Sequence, residues 1–320
     1  MSYKLSVIVP FYNKEKTAAK TFDSLINQTI FKDIELICID DGSKDNTLKI
    51  MKKYASKYPN IKIFQNEKNL KVYKTKLRGI AYATGDYIGF IDVDDWIDKG
   101  YFEELYNKAI ETGADITQTK ATAQYFGKDK PIMNGYDFLC LHVPDGTYEI
   151  TPEFISDYCT DAKTYMLWQS IFKKDLLKQC LRLPPLEKVD LIEDVLILFD
   201  CFIRGNLFTS FTGTQFYYYD RSDEVEHESG NRAKDPKISD TCFALTFSLI
   251  DSILLNGNHM EYKPALRKIQ SQQKFFRTRE FNKLFQRVEN FDGTTNYIIP
   301  RYLVPYAKRL EKEIKILSKY

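Results

Sequence analysis

Three carboxylates stand within four positions at Asp92, Val93, Asp94 and Asp95, directly after the apolar run Tyr87 to Ile91. Acids at the carboxyl end of a buried strand do not form core. Two of them flanking one residue can offer hard oxygen ligands to Mn²⁺ or Mg²⁺, which keep several waters and take the rest of their shell from substrate phosphates. Asp92 and Asp94 therefore predict a phosphate-bearing substrate. A second acidic step, Glu193-Asp194, opens the apolar stretch Val195 to Phe199. Acids in a first helical turn complement the positive end of the helix dipole, so this pair reads either as a cap or as a proton acceptor.

The elements that must position these groups alternate regularly. Leu5–Val9, Ile34–Ile39 and Ile61–Phe64 read as short buried strands, separated by helical patterns over Thr17–Asn27 and Thr47–Tyr58. A helix over Lys76–Ala83 then precedes a strand at Tyr87–Ile91. A further helix at Tyr101–Thr112 leads to a strand at Ile116–Thr119. Near-continuous Val/Ile/Leu strands between helices predict an α/β fold, a doubly wound, mostly parallel sheet covered on both faces. Ligands bind such sheets beyond the carboxyl ends of the strands. Three strand ends place polar residues there: Pro10-Phe11-Tyr12-Asn13, Asp40-Asp41-Gly42-Ser43 and Asp92-Val93-Asp94-Asp95. No Gly-rich phosphate loop is present, so a nucleotide would be held by side chains and a metal.

The Ser6 to Asn13 opening, the Asp40 to Thr47 turn and the Asp92 to Asp95 element, in this order and spacing, resemble the GT-A glycosyltransferases of family 2. The resemblance is strong over about residues 4 to 120 and continues more weakly to about 220. It implies a GT-A fold, Rossmann-like, with a donor half at 1–122, an acceptor half at 123–232 and a helical C-terminal region at 233–320. It also implies a sugar-nucleotide donor. Pro10, Tyr12, Asn13 and Asp41 would wall the base pocket, and a carboxylate of Asp40 or Asp41 suits the imide N–H of uracil. Arg78 falls where the family has a basic residue near the donor. Asp92 and Val93 would approach the donor, with Asp94 and Asp92 on Mn²⁺ or Mg²⁺ and Asp95 behind them. By the same match Asp194 is the catalytic base and Glu193 its neighbour, for an inverting displacement of UDP.

Trp168, in Tyr165 to Lys174, could stack on an acceptor sugar or pack in the core, and Trp96 is a second acceptor candidate. Tyr217-Tyr218-Tyr219-Asp220-Arg221 departs from the family pattern by Asp220. Arg221 is a candidate diphosphate clamp and His227 a candidate metal ligand. The implied reaction moves a hexose or N-acetylhexosamine from a UDP-sugar to a hydroxyl of a cell-surface glycan or its lipid-linked precursor. The rival readings are a sugar nucleotidyltransferase and a catalytically silent sugar-nucleotide-binding scaffold.

Composition bounds the remainder. Six scattered cysteines without a C-x-x-C pair suggest buried free thiols in a reducing, cytoplasmic setting. No signal peptide and no apolar stretch of roughly 18 residues is evident, which argues against an integral membrane protein. The net charge of +2 is uneven: Glu261 to Tyr320 holds 14 Lys/Arg against 6 Asp/Glu, an excess of 8 that leaves the first 260 residues at −6. The basic, helical-looking tail suggests packing on the catalytic domain, a homo-oligomer contact or a peripheral contact with the inner face of the cytoplasmic membrane. An acidic body without a recognisable module speaks against nucleic acid.

Overall fold

The computed structural model describes residues 3–125, 132–133, 143–158, 166–182, 193–220, 222, 250, 253–254, 257 and 259–267. Strands β1 (Leu5–Phe11), β2 (Ile34–Asp40), β3 (Ile61–Gln65) and β4 (Tyr87–Phe90) alternate with helices α1 (Ala18–Ile26), α2 (Thr47–Ala55) and α3 (Lys71–Tyr82). The short β5 (Trp96–Ile97) leads into α4 (Tyr101–Thr112) and β6 (Ile116–Thr119). β7 (Thr122–Tyr125), β8 (Ile132–Met133), β9 (Gly146–Glu149) and α5 (Pro152–Tyr158) follow. The described chain then passes through β10 (Ser170–Lys173), α6 (Lys174–Gln179), α7 (Glu193–Arg204), β11 (Leu207–Phe211) and β12 (Tyr217–Asp220).

Eight strands form one sheet in the order β3-β2-β1-β4-β10-β6-β11-β9, and four form a small sheet, β5-β12-β7-β8. The sequence pattern predicts parallel pairing, and β3, β2, β1 and β4 pair in that way. β10 differs: it enters antiparallel between β4 and β6, so those two strands do not pair with each other. The segments assigned to donor and acceptor halves thus share one sheet.

Alternate side chains explain the unbroken apolar runs. Ile8, Ile37, Ile39 and Ile88 pack with α3 and α7 on one face, while Val7, Val9, Leu36 and Cys38 pack with α1, α2 and α4 on the other. β1, β2 and β4 are buried on both sides, which removes the polar positions a half-exposed strand would show. Cys38, Cys180 and Cys201 are free and buried, as the cysteine pattern suggests.

Helix α3 lies unusually close to β1. A Cβ on Gly79 would stand 2.4 Å from Ile8 Cγ2, closer than real contacts allow. Gly79→Ala should therefore destabilise the protein by about 1–3 kcal/mol despite the better helix propensity of Ala, read as a lower urea midpoint with an unchanged m-value. This contact sets the depth at which α3 presents its side chains to the sheet edge.

Candidate active site

In the parallel register Ile8 lies beside Phe90 and Phe11 beside Asp40, so the residues after β1, β2 and β4 meet on one edge. The first two loops are tied together by side chains. Asn13, in a left-handed conformation (φ 51°), donates its N–H to Ser43 Oγ at 3.0 Å and accepts the Lys44 N–H at 2.8 Å. The Lys14 N–H binds Thr47 Oγ1 at 2.7 Å. A short Asn tolerates the left-handed region better than a bulky residue, which explains its place at the turn. Pro10 and Tyr12 are half-buried beside it.

The two acids of the second loop are both buried. Asp40 Oδ1 accepts the Ser43 N–H at 3.2 Å, and its Oδ2 has no hydrogen-bond partner among the described residues. Asp41 accepts from Asn66 Nδ2 (2.7 Å), Leu70 N (2.8 Å) and Lys71 N (2.9 Å). It fastens the start of α3, where Lys71 adopts φ 74°. A carboxylate has about four acceptor positions, so Asp41 retains about one for a ligand. Arg78 joins the same network, donating to Asn66 Oδ1 and, at 2.9 Å, to the Tyr82 hydroxyl.

The metal-type element is braced from behind. The single Thr21 hydroxyl proton is shared between the carbonyls of Val93 (2.9 Å) and Asp95 (2.8 Å), and Val93 itself is buried. Asp95 is fully buried: Tyr217 OH donates to its Oδ2 at 2.6 Å and the Asp220 N–H to its Oδ1 at 2.9 Å. Burial and repulsion from Asp94 and Asp92 hold its carboxyl well above the usual range. Asp95 thus locks β12 beneath the loop. Tyr217→Phe should cost about 1–3 kcal/mol by removing a donor from a buried carboxyl, measurable by urea denaturation.

Asp94 Oδ2 pairs with Lys14 Nζ at 2.8 Å. Asp92 is pushed up to about 6 by burial, against the pull of Lys76 and with the repulsion of Asp194 and Asp94. It therefore sits electrostatically between the metal-type loop and the second acidic pair. That pair meets a lysine absent from the sequence-derived site. Lys76 Nζ lies 2.6 Å from Asp194 Oδ1 and 3.0 Å from Glu193 Oε1, with its side chain only 3% exposed. Burial would lower the Lys76 pKa, but Asp194, Glu193 and Asp92 outweigh it and raise it. Burial drives Glu193 up to about 7, with Lys76 opposing and Asp194 adding. The Asp194 side chain is more open, and among the described residues its Oδ2 has only a 3.5 Å contact with the Leu167 N–H.

The signal for Lys76 lies in the sequence. Tyr73, Leu77 and Ile80 form the buried stripe of α3, and Lys76 falls on it. A lysine on an apolar stripe requires a buried carboxylate partner.

Neither tryptophan offers a free face. Trp168 is 3% exposed and stacks on Tyr217 at 4.0 Å, with Tyr219 at 6.0 Å, so it is core and not a sugar platform. Trp96 lies between Tyr218, stacked at 5.4 Å, and the Lys20 ammonium, 3.0 Å from its ring centroid. Arg221, His227 and the basic tail beyond residue 267 lie outside the described residues, so their assignments gain no structural account.

A family model described as glycosyl transferase family 2 matches residues 6–172, a span that runs from within β1 to within β10 and hence takes in both loops and the Asp92–Asp95 element. The chain belongs to glycosyl transferase family 2. It is 30% identical over 229 residues to a cholesterol galactosyltransferase of Borreliella burgdorferi, covering 67% of this chain and 59% of that protein. It is also 30% identical to a poly(ribitol-phosphate) beta-glucosyltransferase of Bacillus spizizenii, covering 71% of this chain and 33% of the relative. The chain thus spans less than two thirds of the length of these relatives. Among solved structures, S. aureus TarS superposes with a TM-score of 0.63 at 24% identity, over 84% of this chain and 43% of TarS. Its 1–349 fragment in complex with UDP-GlcNAc gives 0.54 at 18% identity, over 86% of this chain and 92% of the fragment. These likenesses carry the GT-A fold of this family 2 chain. No helix among the described residues is long and apolar enough to cross a membrane.

Proposed function

We propose that this family 2 chain is a metal-dependent, inverting glycosyltransferase. It moves a hexose or N-acetylhexosamine from a UDP-sugar to a hydroxyl of a cell-surface glycan or its lipid-linked precursor. The observation that carries the reading is the meeting of Asp92, Lys76 and the Glu193-Asp194 pair, from three separate stretches of the chain, at the carboxyl edge of the parallel strands. Relatives named for galactosyl and glucosyl transfer, and a structural neighbour described with UDP-GlcNAc, support the donor and acceptor classes.

Asp194 Oδ1 is fixed by Lys76, which leaves Oδ2 to take the proton of the acceptor hydroxyl as its oxygen attacks the anomeric carbon. Lys76 thereby sets the direction of the base. Asp41, Asn66 and Arg78 shape the donor pocket, with the left-handed Asn13 turn as its other wall. The donor set at Asp92 and Asp94 is hard oxygen, and among the described residues no group of three His, Cys, Asp or Glu could hold a metal alone. That set fits Mn²⁺ or Mg²⁺ completed by substrate phosphates, with Asp94 and Asp92 as protein ligands. A bound ion would supply charge neutralisation of the departing diphosphate.

The test is a screen of UDP-, GDP-, CMP- and dTDP-sugars for nucleotide release with Mn²⁺. Release from a UDP-sugar, abolished by EDTA, is the expected result. Activity with a GDP-sugar alone would overturn the uracil assignment, and UDP binding without any turnover would favour a silent binding scaffold.

A further inference from the structure

Lys14, in the first loop, aims its charge at a carboxylate of the loop after β4. Its backbone is fixed at both ends: the N–H binds Thr47 Oγ1 at 2.7 Å, and the carbonyl accepts the N–H groups of Thr17 (3.2 Å) and Ala18 (2.9 Å) at the start of α1. The side chain consequently leaves the loop in a set direction. Its ammonium lies 2.8 Å from Asp94 Oδ2, and both side chains are about one-sixth exposed or less, at 16% and 14%. Lys14 also acts electrostatically on Asp92. A resident cation therefore sits on the oxygen that the proposed function assigns to a divalent ion.

We infer that Lys14 is a displaceable counter-ion that couples metal binding to donor binding. A divalent ion on Asp94 Oδ2 must compete with the ammonium, which turns readily to an anion brought within its reach. The diphosphate of a nucleotide donor is such an anion, and it arrives at the same edge. Nucleotide draws Lys14 away from Asp94 and frees the oxygen for the ion. The ion without nucleotide must compete with a tethered charge at high local concentration. Metal and nucleotide thus bind with positive cooperativity, and linkage requires the effect to be reciprocal. The ion itself would be held weakly in the absence of nucleotide, which favours a site that assembles only around its substrate.

This inference rests on the UDP-sugar reading, and calorimetric titration of Mn²⁺ with and without UDP separates the two. In the unaltered protein UDP should tighten Mn²⁺ binding on the order of tenfold. Lys14→Met keeps the stem and removes the charge. It should bind Mn²⁺ alone on the order of tenfold more tightly than the unaltered protein, and UDP should tighten that binding less than it does in the unaltered protein, only by what the phosphates completing the ion's shell contribute. Lys14→Gln should behave in the same way, and Lys14→Arg should retain the weak, UDP-dependent binding. If the unaltered protein binds both ligands but Lys14→Met and Lys14→Gln match it in Mn²⁺ affinity and coupling, the role of Lys14 is overturned and the donor reading stands. If the unaltered protein binds neither Mn²⁺ nor UDP, both fall.

Discussion

Asp194→Asn should lower kcat roughly 10²- to 10⁴-fold, the usual worth of a general base, while the affinity for UDP, read by calorimetry, stays within about twofold. The prediction follows from the different surroundings of the two oxygens. An Asn carbonyl can still accept from Lys76, 2.6 Å from Oδ1, so the substitution keeps the geometry and removes the proton acceptor. Glu193 is a poorer candidate for the base. Burial pushes it up to about 7, which by itself suits a base, but its side chain is nearly buried and held by Lys76 at 3.0 Å, so an acceptor hydroxyl reaches it less readily than it reaches Asp194. Glu193→Gln should accordingly reduce kcat less than Asp194→Asn. The opposite ranking would move the base to Glu193, and near-normal turnover by Asp194→Asn would remove this pair from the chemistry.

The parallel half of the sheet was legible because burial on both faces leaves a simple trace, a run of apolar residues such as Ile34 to Ile39 closed by acids. The place of β10 was not. Its antiparallel entry between β4 and β6 depends on contacts between residues far apart in the chain, such as Ile171 with Gly89 and with Thr117, and nothing local in Ser170 to Lys173 specifies it. Helix α3 begins at Lys71, five residues before the predicted start, because Lys71, Lys74 and Lys76 look like a solvated run when taken one by one. The helical stripe separates them, and only Lys76 faces inward. The aromatic residues show the converse difficulty. Trp168 carries the same signal whether it binds a sugar or fills a core, and only the stacking of Tyr217 on its face decides between them. Asp92, Asp94, Glu193 and Asp194 were readable because acids beside buried elements are costly unless used or paired. The lysines that pair with them, Lys14 and Lys76, were hidden among 46 basic residues.

Lys76→Met should be the most destabilising of these substitutions, by about 3–5 kcal/mol, because it removes one partner of a buried ionic cluster and leaves the others uncompensated. The size of the loss should depend on pH, and the sign can be worked out. Glu193 has its pKa raised from 4.5 to about 7 in the folded protein. Between those values the folded state holds a proton that the unfolded chain has released, so the contribution of Glu193 to stability falls as pH rises through about 7. Lys76 opposes that rise in pKa, and Met in its place should push Glu193 higher and extend the loss to more alkaline pH. The raised pKa of Lys76 itself keeps its charge constant throughout this range. The destabilisation caused by Lys76→Met should therefore be larger at pH 8 than at pH 5.5, where Glu193 is protonated with or without the lysine. Urea denaturation at the two pH values reads the difference directly. A pH-independent loss would mean that Glu193 is not held by Lys76 in solution. Lys76→Met with Glu193→Gln provides the complementary measurement: removing the charge that Lys76 compensates should recover part of the stability at pH 8 and little at pH 5.5.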